Sequence, residues 1–175
     1  KTEKNYEVSK GVMKEFFENN TAEKILEGSE EVMDMIEDWM TTAEAGFHSI
    51  AAITSKDYTY TRSVNDGLYS MTFGVKSKMS KNDTRQISIG GMLLDVDKSK
   101  IDHSLINKSG QFTDEEYEQM KFHALAAGEI LTGMKCYTHN VVRMAAEHHE
   151  KFKGGGYPNG IEGEEIHRYA RIRKI

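Results

Sequence analysis

The chain has 175 residues, 38% of them hydrophobic and 29% charged, with a formal net charge of −5. That composition suits one soluble globular domain with an appended element, long enough to bury a core. The acidic balance argues against a binder of nucleic-acid polymers, which carries a basic stripe. A lone cysteine, Cys136, excludes an internal disulfide and fits a reducing cytoplasm. No apolar run approaches the ~20 residues of a membrane span, and no signal peptide is visible. The chain starts at Lys1 and stops at Ile175 inside what reads as an element, so a longer parent protein is expected.

The single proline lies at 158, so helices can run uninterrupted before it. Residues 1–20 carry Val8, Val12, Met13, Phe16 and Phe17 at amphipathic spacing, and Thr21 can cap the next helix. The stripe Val32, Met33, Ile36, Trp39, Met40, Ala43, Phe47 and Ile50 predicts a long helix, read as core or helix-pairing surface. Residues 1–54 are therefore expected to form a helical segment for packing or dimerisation. A helix is predicted over 57–79, with Val64, Leu68, Met71 and Val75 on one face. Lys76 to Asp83 is polar and reads as a loop. The apolar run Ile87–Leu94 suits a strand or a buried helix equally. Residues 101–110 read as irregular. Thr113-Asp114-Glu115-Glu116 has the pattern of a capping box. It opens a helix with Tyr117, Met120, Leu125 and Ile130, ending near Gly133. A last long helix is expected from Tyr137 to His149. The whole predicts an all-α fold.

Chemistry concentrates in Glu147-His148-His149-Glu150 and the following Gly154-Gly155-Gly156-Tyr157-Pro158. On a continuing helix, adjacent histidines point about 100° apart. At a helix end both rings can reach one centre, and imidazoles suit Zn, Fe or Mn. The bland alternative is capping and surface hydrogen bonding. The three glycines permit a sharp turn or close backbone approach to an anion. Tyr157 is either a positioned phenol or a packing anchor. His123, between Met120 and Ala127, reads as a satisfied core histidine. Asp95 follows an apolar run, where a carboxylate must be paired or metal-bound; Lys98 is the simple partner.

Together these residues resemble the HD-GYP domain, a branch of the HD superfamily of metal-dependent phosphohydrolases. The likeness runs from Tyr58-Thr59-Tyr60-Thr61-Arg62-Ser63, through Leu93 to Lys98 and Leu105 to Gly110, to Met120-Lys121-Phe122-His123. It continues through His148-His149-Glu150, Gly156-Tyr157-Pro158, Gly163-Glu164-Glu165-Ile166 and Ala170-Arg171-Ile172, covering roughly residues 55–175. The resemblance implies an HD-superfamily helical bundle over 55–175, truncated at its C-terminus. It implies two or three metals, often iron or manganese, and hydrolysis of cyclic diguanylate. It also implies a Gly-Tyr-Pro loop beside the ligand that contacts diguanylate cyclase (GGDEF-type) domains.

Several positions depart from the family pattern. The early metal-binding histidine is Arg62 and the dyad histidine is Leu94. Asp97 stands where a glycine is usual, and Lys153-Gly154 replaces Asp-Gly. The family's final metal-binding Asp lies beyond Ile175. By resemblance, Asp95, His123, His148 and His149 retain one divalent metal (Fe or Mn, with Zn as a further option), and the second metal site is lost. Asp95 and Lys98 occupy the family's catalytic positions; Gly154, Gly156, Tyr157 and Pro158 form the ligand or partner loop. Arg62 either pairs with Asp95 as a stand-in cation or turns to solvent. The leading expectation is a degenerate domain with weak or no hydrolysis, kept for cyclic diguanylate or partner binding. The alternatives are an active phosphodiesterase with an altered metal set, with Asp97 and His103 as conceivable substitutes, and a structural module forming a homodimer.

Overall fold

The computed structural model describes residues 58–97, 110–135 and 137–174, together with Glu7, Val8, Lys10, Gly11, Met13, Lys14, Glu31, Asp34, Leu105 and Lys108. Every regular element among them is helical, as expected. The chain separates into two compact units, Lys1–Met92 and Leu93–Ile175. The expected boundary at 54/55 and nearly all of the expected N-terminal helices lie outside the described residues. Of the first predicted face, Met13 is fully buried, whereas Val8 is exposed.

In the first unit, α1 (Tyr58–Lys76) packs on α2 (Lys81–Met92). Val64, Leu68 and Met71 are buried at the predicted three- and four-residue spacing. Val75 is not: it is 53% exposed, while its neighbour Gly74 is the residue that abuts Thr84 of α2. The Ile87–Leu94 run resolves as helix up to Met92 and then a turn. Its apolar residues are buried all round, which explains why alternation could not decide.

The predicted loop from Lys76 to Asp83 is shorter than expected, spanning only Ser77 to Ser80. Lys78 takes the left-handed conformation (φ 54°). Its N–H donates to Val75 O (3.0 Å) and the Met79 N–H to Gly74 O (2.9 Å), closing α1 as a Schellman motif. Ser80 then caps α2, its Oγ accepting from the Asp83 N–H at 3.0 Å. Polar residues here terminate and start helices rather than making an open loop. At the crossing, a Cβ on Gly91 would lie 2.7 Å from Asp66 O and from Ser70 Oγ.

The second unit holds α3 (Asp114–Met134), α4 (His139–Glu147), a 3-10 turn (Gly163–Glu165) and α5 (Arg168–Ile172). The capping box forms as predicted. Thr113 Oγ1 accepts from the Glu116 N–H (3.2 Å), and the Glu116 carboxylate from the Thr113 N–H (2.7 Å). Lys108 adds an ion pair to that carboxylate. Of the 101–110 stretch expected to be irregular, Leu105 is helical and buried. α3 meets α4 along small residues, where a Cβ on Gly128 would lie 2.9 Å from Ala146 Cβ. This places His123, buried on α3, opposite the end of α4.

α4 is shorter than the predicted 137–149. Thr138 caps its start, accepting from the Val141 N–H at 3.4 Å. Its end is set by Glu147, whose carboxylate accepts from Arg143 Nε (2.5 Å) and the His167 N–H (2.6 Å). The backbone turns after it through a Glu150 N–H bond to Glu147 O at 2.9 Å. His148 and His149 therefore sit in the turn, not on the helix. Among the described residues, no helix is long and apolar enough to cross a membrane.

Candidate metal centre

Three imidazoles converge in the second unit. His123, His148 and His149 each present a ring nitrogen, and these atoms lie within 4.8 Å of one another. The ring centroids are 5.0 Å apart for His123–His148, 4.8 Å for His123–His149 and 4.1 Å for the adjacent pair. The unwinding of α4 lets neighbours in sequence share one centre.

The nitrogens are poised for a cation. His148 Nδ1–H donates to Ala145 O at 2.7 Å. A carbonyl can only accept, so the Nε2 lone pair is the one left free, and it is buried without a hydrogen-bond partner. Burial, then the neighbouring His149, holds the His148 pKa well below its ordinary 6.5, so the ring is neutral at neutral pH. A metal ligand needs that state. His123 Nδ1 is also buried and unpartnered, which overturns the reading of His123 as a satisfied core histidine.

Two carboxylates flank His123. Asp95 Oδ1 lies 3.9 Å and Asp97 Oδ1 3.6 Å from its Nδ1, both beyond hydrogen-bond range. Burial is the largest influence on Asp97 and raises its pKa; His123 pulls it back and Asp95 adds to the rise. Three imidazoles with a carboxylate nearby suit a divalent transition metal such as Fe, Mn or Zn. The buried, orphaned atoms fit that assignment: Asp97, His123 and His148 all carry polar atoms that the protein itself leaves unpaired.

The Gly-Tyr-Pro loop closes over this centre. Tyr157 stacks on His149 with centroids 4.5 Å apart and planes 12° from parallel. Burial, with Tyr117 and Asp95 nearby, pushes its phenol up to about 12, so it stays protonated at neutral pH. The Tyr157–Pro158 peptide is cis, and Gly154 and Gly155 have φ of 79° and 71°. Gly156 is required for another reason: a Cβ there would lie 2.4 Å from Lys151 N and 2.5 Å from Glu150 Cα. Glu150, missed as a functional residue in the sequence, holds the loop. Its buried Oε1 accepts from the Asn159 (2.6 Å) and Gly160 (3.0 Å) N–H groups. Its position directly after the histidine pair was the available signal.

Beside the loop runs an open groove of about 470 Å³. Tyr117, Lys121, Phe122, Leu125 and the backbone of Gly155 to Gly160 line it, with Tyr157 as the wall shared with the metal centre. Lys98 and His103 lie outside the described residues. Leu94 is buried beside Asp95, and the Arg62 Nε lies 3.5 Å from the Asp66 carboxylate one turn along α1.

The HD domain family model matches residues 49–175. The chain belongs to the HD domain family. It is 29% identical over 122 residues to a cyclic di-GMP phosphodiesterase of Pseudomonas aeruginosa, covering 70% of this chain and 30% of that protein. Against the cyclic di-GMP phosphodiesterase response regulator RpfG of Xanthomonas campestris it is 36% identical over 95 residues, covering 54% of this chain and 25% of that one. A 3'3'-cGAMP-specific phosphodiesterase of Vibrio cholerae is 29% identical over 115 residues, covering 66% and 25%. The chain thus spans 25–30% of the length of these relatives. Its fold is that of Bd1817, an HDG"Y"P protein from Bdellovibrio bacteriovorus. The TM-score is 0.82 at 17% identity, covering 97% of this chain and 56% of that one.

Proposed function

We propose that this HD domain recognises a cyclic dinucleotide, cyclic diguanylate first, around one divalent metal ion, with hydrolysis weak or absent. The observation that carries the reading is the convergence of His123, His148 and His149 with Asp95, while the resemblance's other imidazole positions are occupied by Arg62 and Leu94. Leucine has no donor, and a guanidinium stays charged and binds no cation.

His148 and His149 hold the ion from the end of α4, His123 from α3, and Asp95 supplies negative charge. When bound, such an ion polarises a phosphoryl oxygen. Two-metal hydrolysis needs a second cation about 4 Å away to clamp the opposite oxygen. The protein's own part is recognition. Phe122 and Tyr157 offer aromatic rings on which a guanine can stack, and the glycines keep the loop backbone close. Lys121, which pairs with Glu118 and lies over the Tyr117 ring, would have to exchange that carboxylate for a phosphate. Phe122 and Phe152 are 64% and 60% exposed, apolar surface of the kind a partner such as a diguanylate cyclase domain can cover.

A second reading, an active phosphodiesterase with an altered metal set, draws support from Asp97 beside His123. One experiment separates the two. Metal is counted in the purified chain, cyclic di-GMP binding is followed by calorimetry, and linear product is assayed with added Mn²⁺ or Fe²⁺. The proposal expects one metal per chain, measurable binding and at most trace product. Two metals with sustained turnover would establish the second reading instead. Absence of both metal and binding would remove both.

A further inference from the structure

Asp97 is the least explained polar side chain in the second unit. It is 1% exposed, and neither carboxylate oxygen has a hydrogen-bond partner. A carboxylate removed from water and left unpaired is costly, and native structures keep one only where a cation or proton meets it. Its surroundings point to which. Asp97 Oδ1 lies 3.6 Å from the unpartnered Nδ1 of His123, on the side where Asp95 Oδ1 stands at 3.9 Å.

We infer that Asp97 is a metal-ligating carboxylate of this centre, an acidic ligand that the HD-GYP resemblance does not supply. This rests on the reading of the three histidines as a metal centre. Donors sharing one ion through ~2.1 Å bonds lie roughly 3.0 to 4.2 Å apart, from cis to trans. Both carboxylate distances from His123 fall inside that interval. The chain geometry allows it. Leu93 to Asp95 turn and Val96–Asp97 continue as a short 3-10 stretch, so residues 95 and 97 bring both carboxylates to one histidine while Leu94 and Val96 are buried in the core.

The assignment changes the character of the centre. Two carboxylates with three neutral imidazoles balance a divalent cation, whereas one carboxylate leaves the site a net positive charge. The substitutions at 94 and 97 together exchange an imidazole for a carboxylate within three residues. Harder oxygen donors favour Mn²⁺ over softer competitors.

The competing role for Asp97 is to orient His123 by accepting its Nδ1–H, as carboxylates do behind metal-bound imidazoles. The separation of 3.6 Å is too long for that bond. Asn separates the roles, because its amide oxygen still accepts a hydrogen bond but carries no charge and ligates poorly.

The test is Mn²⁺ titration of the full chain and of Asp97→Asn after chelator treatment, with Co²⁺ visible absorption and thermal unfolding with and without Mn²⁺. The inference expects Asp97→Asn to weaken Mn²⁺ by about tenfold to a hundredfold and to change the Co²⁺ bands. It further expects the metal-free variant to unfold no earlier than the parent, because a buried lone charge has gone, while the Mn²⁺-induced rise in Tm shrinks. A residue important only for packing would lower both. Asp97→Gly, the residue usual in the resembled family, should weaken Mn²⁺ in the same direction. A parent that takes up Mn²⁺ with both variants within about twofold of it, Co²⁺ bands unchanged, overturns the assignment of Asp97 and leaves the three-histidine centre standing. A parent that takes up none of Mn²⁺, Fe²⁺ or Zn²⁺ overturns the centre itself.

Discussion

The Tyr157 ring lies flat against His149, 4.5 Å between centroids and 12° from parallel. One face of the tyrosine thus packs on an imidazole of the candidate centre, and its ring stands nearly perpendicular to Tyr117, 6.4 Å between centroids. Ring pairs of this kind contribute about 0.5–1.5 kcal/mol beyond buried area. Tyr157→Ala should lower stability by at least about 1 kcal/mol in denaturant unfolding. It should also weaken cyclic di-GMP binding in calorimetry. Tyr157→Phe keeps the stack and should leave both close to the parent; an equal loss in Phe would place the effect on the phenol oxygen instead.

Glu150 gives a second test. One buried oxygen receives two backbone N–H groups from the far end of the loop. Hydrogen bonds to a charged acceptor contribute roughly 1.5–3 kcal/mol each. Glu150→Ala should therefore cost at least about 3 kcal/mol and expose the 154–160 backbone to hydrogen exchange. Glu150→Gln retains a carbonyl acceptor and should cost less. Exchange rates unchanged in the alanine variant would show that the loop holds itself.

Two glycines of the first unit should behave differently. A Cβ at Gly91 meets the backbone oxygen of Asp66 at 2.7 Å, an atom that cannot move without shifting α1. At Gly67 the closest atom is Cγ of the flexible Met92 side chain at 2.4 Å, with the Ser88 backbone oxygen only at 3.3 Å. Gly91→Ala should cost about 1–3 kcal/mol, as overpacking does, and Gly67→Ala less. Thermal unfolding of the two variants decides the order.

The pH dependence follows from His148 and His167. Burial lowers both folded pKa values below the ordinary 6.5, His148 strongly. His167 shows the neutral tautomer directly: its Nδ1 accepts from the Tyr169 N–H, leaving Nε2 to donate to Asn140 Oδ1. Below 6.5 the unfolded chain binds more protons than the folded one, so stability rises with pH there. The metal-free protein should be at full strength above about pH 6.5 and lose stability as pH falls toward the folded values. Asp97 has the opposite sign. Its raised pKa contributes stability below 3.8 that is lost as pH rises through its folded value. Denaturant unfolding at about pH 5 and pH 7.5 checks the histidine sign. Metal-loaded protein should fall more steeply, since protons compete for His148.

Much of this architecture was legible in the residues. The Thr113–Glu116 capping box, the Val64–Leu68–Met71 face and the histidine pair at a helix end all follow from local rules, because each depends on neighbours within a turn or two. What escaped depends on distant partners. Val75 has the right spacing, yet it is Gly74 beside it that meets α2 and Val75 is left exposed. The Ile87–Met92 part of α2 is buried on every side, so no helical period shows there. Lys78 takes a left-handed cap that glycine usually fills. At the site, the resemblance assembled His123, His148, His149 and Asp95, and the fold brings a ring nitrogen of each of the three histidines within 4.8 Å of the others. The isolation of Asp97 and the grip of Glu150 on Asn159 and Gly160 depend on burial, which no pattern of residues displays.

The linkage of Glu150 to Asn159 and Gly160, one residue after His149, has a thermodynamic consequence. Two of the proposed ligands, His148 and His149, run directly into the loop that walls the groove, and Glu150 ties that loop back beside them. Whatever factor a groove ligand gains from a loaded centre, the centre gains from an occupied groove, because coupling free energy is reciprocal. On the proposed reading, metal supply would set the concentration at which the groove responds to a nucleotide, and the domain would detect two quantities at once.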